Sequence, residues 1–379
     1  MKISVSSAAG IELAVKKELY KLGYGDLPAI NGRISLEGDE KDVCRLNLLL
    51  RSANRVFIEL KKFKAISFDE LFDGVSDVEW EKFIPSDGKI MVEAKCVESA
   101  LHAVSVTQSI TKKAICGRLL KVYKNTLDES GERYKIEVSV FRDMVTLSLD
   151  TSGAGLHRRG YRALVGEAPL KETLASAIVQ LSVWNPSRPL ADVFCGTGTI
   201  PIEACLYALN VPSGINRDFD FLYWKKFDSS AFDEVKKDAL AAVRTIDFRV
   251  SAFDIDENQL KLARKHAELA GVADHIHFQR ADMRDFSSQK KYGVIISNPP
   301  YGERLSDIKE VETLLKDYGK MISSLNDWSA YTLTPAKNFE RLIGKKADKK
   351  RKLFNGSIEC CLYANLGNPP PKKKTEEKY

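Results

Sequence analysis

Asn298-Pro299-Pro300-Tyr301 follows an almost wholly apolar run, 292–297. Those residue types suit one kind of chemistry. An exocyclic amine on a nucleobase is a poor nucleophile, because its lone pair is delocalised into the ring. The Asn298 side-chain oxygen and the Pro299 carbonyl can accept both amino hydrogens and turn that lone pair toward a methyl donor. The two prolines restrict the backbone and fix the carbonyl direction. Tyr301 offers a face for an extruded base, a contact worth about 1–3 kcal/mol. Methyl transfer then depends on positioning and needs no strong general base. The bland alternative is an ordinary proline-rich turn.

A second constellation lies upstream. Asp192-Val193-Phe194-Cys195-Gly196-Thr197-Gly198-Thr199 follows an apolar run and leads into a helical pattern. Glycines there let the backbone approach a ligand closely. A dinucleotide site is opposed on two grounds. Pro201 stands where a third glycine belongs, and the Asp192 carboxylate suits an ammonium group better than a pyrophosphate. Two later strand ends carry Asp254-Ile255-Asp256 and Ala281-Asp282-Met283. Asp254 can accept from a ribose diol. Asp282 can accept from an adenine amino group, while the Met283 N–H meets a ring nitrogen. Amino acid, ribose and adenine together make S-adenosyl-L-methionine, with S-adenosyl-L-homocysteine as product. Each Asp could instead serve only as a helix N-cap.

These residues need a frame. From about residue 170 the chain alternates strand, glycine-rich turn and helix. Strands are expected at 190–194, 249–253, 275–280, 292–297, 328–334 and 357–366, with helices at 200–209, 258–270 and 311–325. That rhythm predicts an α/β fold with a doubly wound, Rossmann-like parallel sheet, which binds ligands at the carboxyl ends of its strands. The first 60 residues alternate short strands and helices as a ferredoxin-like α+β unit. Beyond them, a helix at 68–83, a strand at 89–96, a helix at 105–122 and a hairpin of 134–141 with 144–150 are expected. An insertion at about 210–245 is rich in aromatics, among them Phe219, Phe221, Tyr223, Trp224 and Phe227. Packing of these rings is favoured over RNA stacking.

The 379 residues are 44% hydrophobic, enough for two or three domains. No apolar run approaches the length of a bilayer span, and the N-terminus lacks the features of a signal peptide, so a cytoplasmic protein without a membrane partner is expected. Seven scattered cysteines without a Cys-x-x-Cys pair argue against a disulfide framework or a metal site. The net charge of +6 is gathered in clusters: Lys61-Lys62-Phe63-Lys64, Lys112-Lys113, His157-Arg158-Arg159 and residues 345–352. Clustered cations favour a polyanion. Lys112, Lys113 and Arg118 occupy polar positions of the expected 105–122 helix. His157, Arg158, Arg159 and Arg162 could arm an active-site mouth with phosphate-gripping forks, joined by Arg304.

Taken together, Leu156-His157-Arg158-Arg159-Gly160-Tyr161-Arg162, Ala168-Pro169-Leu170-Lys171-Glu172-Thr173, the Asp192–Thr199 turn, Asp254-Ile255-Asp256, Asn298 through Arg304, and the Asn355-Gly356 turn with Cys360 resemble the THUMP-domain methyltransferases that modify guanine at its 2-amino group. The likeness covers nearly the whole chain. It implies a ferredoxin-like unit (1–60), an RNA-binding THUMP domain (61–155) and a class I methyltransferase domain (156–368); the Pro- and Lys-rich composition of residues 369–379 predicts a disordered tail. It also implies that Leu170, Lys171 and Thr173 flank the methionine part of the cofactor, and that structured RNA is the substrate, rRNA ahead of tRNA. An adenine 6-amino methyltransferase and a non-catalytic RNA-binding assembly factor are the competing readings.

Overall fold

The computed structural model describes residues 1–30, 32–124, 127–162, 170–302 and 305–371. It divides into two compact units: one of residues 1–7, 15–158 and 212–241, the other of residues 8–14, 159–211 and 242–379.

In chain order the first part holds β1 (Lys2–Ser6), α1 (Glu12–Lys21), β2 (Ala29–Ile30), β3 (Arg33–Glu37), α2 (Glu40–Leu49), β4 (Arg55–Lys64), α3 (Phe68–Ser76), β5 (Lys89–Val97), α4 (Val104–Tyr123), β6 (Arg133–Phe141) and β7 (Met144–Asp150). The strands form a single sheet in the order β2-β3-β1-β4-β7-β6-β5. The two expected modules therefore share a sheet, and β4 is the seam. Its first half pairs with β1 (Ile3 opposite Ile58), and Phe57–Lys64 pairs with β7 across a register shift between Glu59 and Lys61. The long β4 is legible only in part in the sequence, because its second half, Lys61-Lys62-Phe63-Lys64, reads as a surface charge cluster. Asp39 and Asp42 close a capping box on α2, and Ser67 caps α3. The β6–β7 hairpin forms as expected. Arg142 and Asp143 both have positive φ (48° and 61°), the geometry of a two-residue type I′ turn.

The expected 68–83 helix stops at Ser76. Trp80 then turns inward: it is fully buried, and its indole N–H donates to the Val75 carbonyl at 2.8 Å, so the helix end is satisfied by a side chain instead of a further turn. The aromatic insertion carries α7 (Ala231–Ala241) and belongs to this first unit. Phe219 and Phe221 are buried and stacked at 5.6 Å, and Trp224 stacks on Tyr134 at 5.2 Å. Packing explains these rings; only Tyr223 is exposed among the five named.

The second unit holds α5 (Glu172–Leu181), β8 (Leu190–Asp192), α6 (Thr199–Ala208), β9 (Val250–Asp254), α8 (Glu257–Leu269), β10 (Ile276–Arg280), β11 (Val294–Ser297), α9 (Leu305–Ser324), β12 (Ser329–Thr334), α10 (Phe339–Ile343), β13 (Lys349–Asn355) and β14 (Ile358–Asn365). Its sheet runs β10-β9-β8-β11-β12-β14-β13. The five strands from β8 to β12 are parallel, and every residue of β8, β11 and β12 is buried, as for strands covered on both faces. The chain winds from β8 outward through β9 to β10, then returns to β11 on the other side of β8. The strand order reverses between β8 and β11, where doubly wound sheets open a crevice.

One correction concerns the far side of the sheet. β14 is antiparallel to both β12 and β13, so the sheet is mixed. β13 begins within the cluster read as a basic patch. Its early residues carry exposed charges, with Lys350 on Glu340 at 2.9 Å and Lys352 on Glu359 at 2.6 Å, as an edge strand protected by charge would.

Candidate active site

The turn after β8 is shaped by two glycines. Gly196 and Gly198 have φ of 51° and 83°, and Gly198 is the N-cap of α6. They differ in what surrounds them. A Cβ on Gly198 would lie 3.0 Å from the Ala263 Cβ, so that glycine serves helix packing. A Cβ on Gly196 would meet no atom of the other described residues within 4 Å, so its face is open to a ligand. The turn is tied to β9 by the Cys195 N–H on the Phe253 carbonyl (2.9 Å) and by the Gly196 N–H on Asp254 Oδ2 (2.8 Å). Phe194 packs at 5.7 Å on the buried Tyr318, and Cys195 is a buried thiol that burial keeps protonated.

Asp192 is 1% exposed. Its Oδ1 accepts from the Phe194 N–H at 3.1 Å and from the Ser297 hydroxyl at 2.8 Å. Its Oδ2 is buried with no hydrogen-bond partner among the described residues. Burial pushes this carboxyl up to about 7; the nearby Asp254 charge adds to the rise, and the two hydrogen bonds oppose it. A buried acceptor that lacks a donor among the described residues, beside an open glycine face at a helix start, fits an ammonium-bearing ligand. The amino-acid end of S-adenosyl-L-methionine has that character.

The other expected cofactor residues are arrayed along the same strand ends. Asp254 accepts one backbone N–H on each oxygen, from Gly196 and from Asp256, and keeps lone pairs for a diol. Asp256 is the N-cap of α8. Asp282 caps a short 3-10 turn through the Arg284 N–H and also pairs with the Arg284 guanidinium at 2.8 Å. The capping role is thus real for Asp282, and any adenine contact must use its remaining lone pairs. Ile255 is 63% exposed, an apolar surface at the end of β9, while Met283 is buried. Leu170 and Thr173 are buried, and Lys171 is the exposed N-cap of α5.

β11 delivers the target motif next to this turn. Ser297 ends the strand; its hydroxyl donates to Asp192 and accepts from the Val193 N–H at 3.1 Å. Asn298 follows at once, half-buried, with Pro299 buried and Pro300 exposed. The Tyr301 hydroxyl donates to Asn298 Oδ1 at 2.6 Å, and the Cys360 thiol donates to that hydroxyl at 3.5 Å. Burial raises the Tyr301 pKa, so the phenol keeps its proton. The Tyr301 ring, expected as an open stacking face, is half-buried and packs on the core of the unit.

Several residues expected at the RNA surface are placed otherwise. The Arg159 side chain is 2% exposed and rests on Glu203, itself fully buried and also bonded by the Tyr161 hydroxyl at 3.1 Å. Buried there, Arg159 has no surface for a phosphate. Arg162 is turned inward as well, onto Thr197, Thr199, the Leu170 carbonyl and Glu172, so it straps the donor turn to the start of α5. In the first unit, Lys112 pairs with Glu129 at 2.8 Å and Arg118 pairs with Glu81 through two nitrogens. Lys113 and Arg158 are exposed, and His157 is half-buried. Arg304, Ala168 and Pro169 lie outside the described residues, as do residues 372–379 of the expected tail. No group of three or more metal-ligating side chains is gathered among the described residues, and no helix there is long and apolar enough to cross a membrane.

Two participants had no motif to announce them. Ser297 is the link between the two constellations. His266 is buried on α8 with Nδ1 3.1 Å from the Thr197 carbonyl; burial lowers its pKa, so the neutral ring donates there and holds the turn. Its place in the stripe Leu260, Ala263, His266, Ala267 was the available signal: a polar side chain on an apolar helix face needs a partner.

An RMKL-like methyltransferase domain matches residues 159–364, an RlmL ferredoxin-like domain residues 2–57, and a THUMP domain residues 65–150. The candidate RNA methyltransferase YpsC of Bacillus subtilis is 42% identical, over 97% of this chain and 96% of its own. The ribosomal RNA large subunit methyltransferase K/L of Psychromonas ingrahamii is 30% identical over 94% of this chain, which spans only 49% of that longer protein. Among solved structures, a Listeria monocytogenes protein whose name predicts an N6-adenine-specific DNA methylase aligns with a TM-score of 0.91 at 41% identity, covering 97% of this chain and 96% of that one. SMU.472, a candidate methyltransferase solved with S-adenosyl-L-homocysteine, aligns at 0.90 and 40% identity, covering 98% and 99%. The chain belongs to the RMKL-like methyltransferase family, and its methyl donor is S-adenosyl-L-methionine.

Proposed function

We propose that this protein methylates the exocyclic 2-amino group of a guanine in structured RNA, with 23S rRNA as the preferred substrate and tRNA as the alternative, and that it does so in the cytoplasm. The observation that carries the chemistry is the juxtaposition of Asn298-Pro299-Pro300-Tyr301 with the donor turn, through the Ser297–Asp192 hydrogen bond at 2.8 Å. RNA as substrate is supported by the THUMP domain and by the RNA methyltransferases among the relatives. In this reading residues 1–60 form the ferredoxin-like module, 61–155 the RNA-binding module, and 156–368 the catalytic domain.

When bound, S-adenosyl-L-methionine supplies an electrophilic methyl group. Asp192 and Gly196 hold its amino-acid end, Asp254 its ribose, and Asp282, Ile255 and Met283 its adenine. Asn298 Oδ1 and the Pro299 carbonyl accept the two hydrogens of the target amine and aim its lone pair. Tyr301 supports the base with the exposed part of its ring. No side chain of this set is a strong base at neutral pH, which fits a reaction governed by orientation.

The same clamp would serve an adenine 6-amino group, and the name of the Listeria relative favours that second reading. One experiment separates them. Nucleosides from purified rRNA and tRNA of a strain lacking the protein are compared with the parent by mass spectrometry. The proposal expects loss of one 2-methylguanosine; loss of 6-methyladenosine instead, or no change in any RNA, rejects it. Asn298→Ala should restore none of the lost nucleoside, lowering kcat by about 10²–10³-fold, the usual cost of one lost transition-state contact, with cofactor affinity nearly unchanged.

A further inference from the structure

Asn298 can hold the target amine only if its amide presents oxygen and not nitrogen. The two ends of an amide are almost the same size, and a flipped Asn298 would point N–H donors at the N–H donors of the substrate. Something must select the orientation.

The surroundings of Tyr301 do so. β14 brings a donor to its hydroxyl oxygen. The Cys360 thiol lies 3.5 Å away, closer than its other acceptor, the Ile358 carbonyl at 3.7 Å. Cys360 is buried, at 2% exposure. Burial raises the Cys360 pKa, so the thiol keeps its hydrogen to donate. With the thiol directed at its oxygen, the phenol has its own hydrogen left for Asn298, and it lies 2.6 Å from Oδ1. An amide nitrogen could not accept that hydrogen.

We infer that Cys360 is a positioning residue for methyl transfer: through the Tyr301 hydroxyl it locks the Asn298 amide with its oxygen ready for the target amine. The inference rests on the reading of Asn298 as the amine clamp. It gives Tyr301 a second task besides supporting the base, and it gives a chemical reason for tyrosine over phenylalanine at that position.

The test uses the full-length protein, tritiated S-adenosyl-L-methionine, and total RNA from a strain lacking the protein as methyl acceptor. Calorimetric binding of S-adenosyl-L-homocysteine checks that each variant is folded. Tyr301→Phe keeps the ring and removes the hydroxyl. It should lower kcat about tenfold, equivalent to about 1.4 kcal/mol, with KM for RNA and cofactor affinity unchanged. Cys360→Ala should lower kcat about threefold, and Cys360→Ser, which keeps a donor, should restore it to the wild-type value. A kcat within twofold of wild type for Tyr301→Phe overturns the inference. Equal losses for Cys360→Ala and Cys360→Ser also overturn it, since that is the signature of packing alone. If the wild-type protein itself forms no methylated base amine in this RNA, the clamp reading fails first, whatever the variants do.

Discussion

Asp192→Asn should make the cofactor-free protein more stable in alkaline solution while weakening its hold on the methyl donor. The Asp192 carboxyl is pushed from 3.8 up to about 7 by burial, with the Asp254 charge adding to the rise. A carboxyl whose pKa is raised on folding is favoured in its protonated form, so ionising it opposes folding. Below about pH 4 both states are protonated and no penalty exists. The penalty grows from about pH 4 to 7 and is constant above. About three pKa units at 1.36 kcal/mol each make the full penalty about 4 kcal/mol. Asparagine carries no charge and keeps an oxygen for Ser297 and Phe194, but its NH2 replaces the unpartnered Oδ2 and costs about 1–3 kcal/mol as a buried donor. That cost does not depend on pH. The stability difference between variant and wild type should therefore rise by about 3 kcal/mol between pH 5 and pH 8.5, whatever its absolute value. Urea denaturation of the cofactor-free proteins at the two pH values measures it. The same variant should bind S-adenosyl-L-homocysteine at least tenfold more weakly at pH 8, because a charge-assisted hydrogen bond to the ammonium is lost, worth about 1.5–3 kcal/mol. A stability difference that is the same at both pH values would show that Asp192 is not a strained buried carboxylate, and an ammonium partner would lose its physical basis.

Arg159→Ala should destabilise the fold by about 3–5 kcal/mol, because it strands the buried Glu203 carboxylate; adding Glu203→Gln should recover part of the loss. A thermal midpoint close to wild type would mean that Arg159 is not the buried partner described above. Lys113→Glu and Arg158→Glu, at exposed positions, should each weaken RNA binding and reduce the slope of log K against log salt by about one. If filter binding shows the slope unchanged in both, neither side chain meets the phosphate backbone.

Much of the site was legible because its residues sit where chain chemistry changes abruptly. A buried strand reads as a nearly unbroken apolar run, so the ends of β8 and β11 were marked by the polar residues that close them, Asp192 in the first and Ser297 with Asn298 in the second. What the sequence hid was partnership over distance. Arg159 and Arg162 look like an exposed basic arm in a linear reading. Their partners Glu203 and Glu172 lie on helices whose packing brings charge to charge, 44 residues apart in the first case. β13 was hidden for the opposite reason: an edge strand needs backbone pairing and little apolar character, so Lys349 through Lys352 read as a charge run. The aromatic insertion announced that it would be buried, but burial patterns carry no address, and the unit it joins is set by contacts such as Trp224 on Tyr134.

In the proposed reaction the two halves meet at one side chain. Ser297 is the last residue of β11. Its hydroxyl holds the Asp192 carboxylate, and its peptide leads directly into Asn298. Parallel pairing of β8 and β11 fixes the two strand ends side by side, in a region where every residue of both strands is buried. The distance between the donor turn and the amine clamp is therefore set by sheet geometry, the stiffest spacing the fold offers. A reaction that lacks a general base and relies on in-line approach requires such a spacing. The softer choice, which way the Asn298 amide faces, is delegated to a separate hairpin through Tyr301.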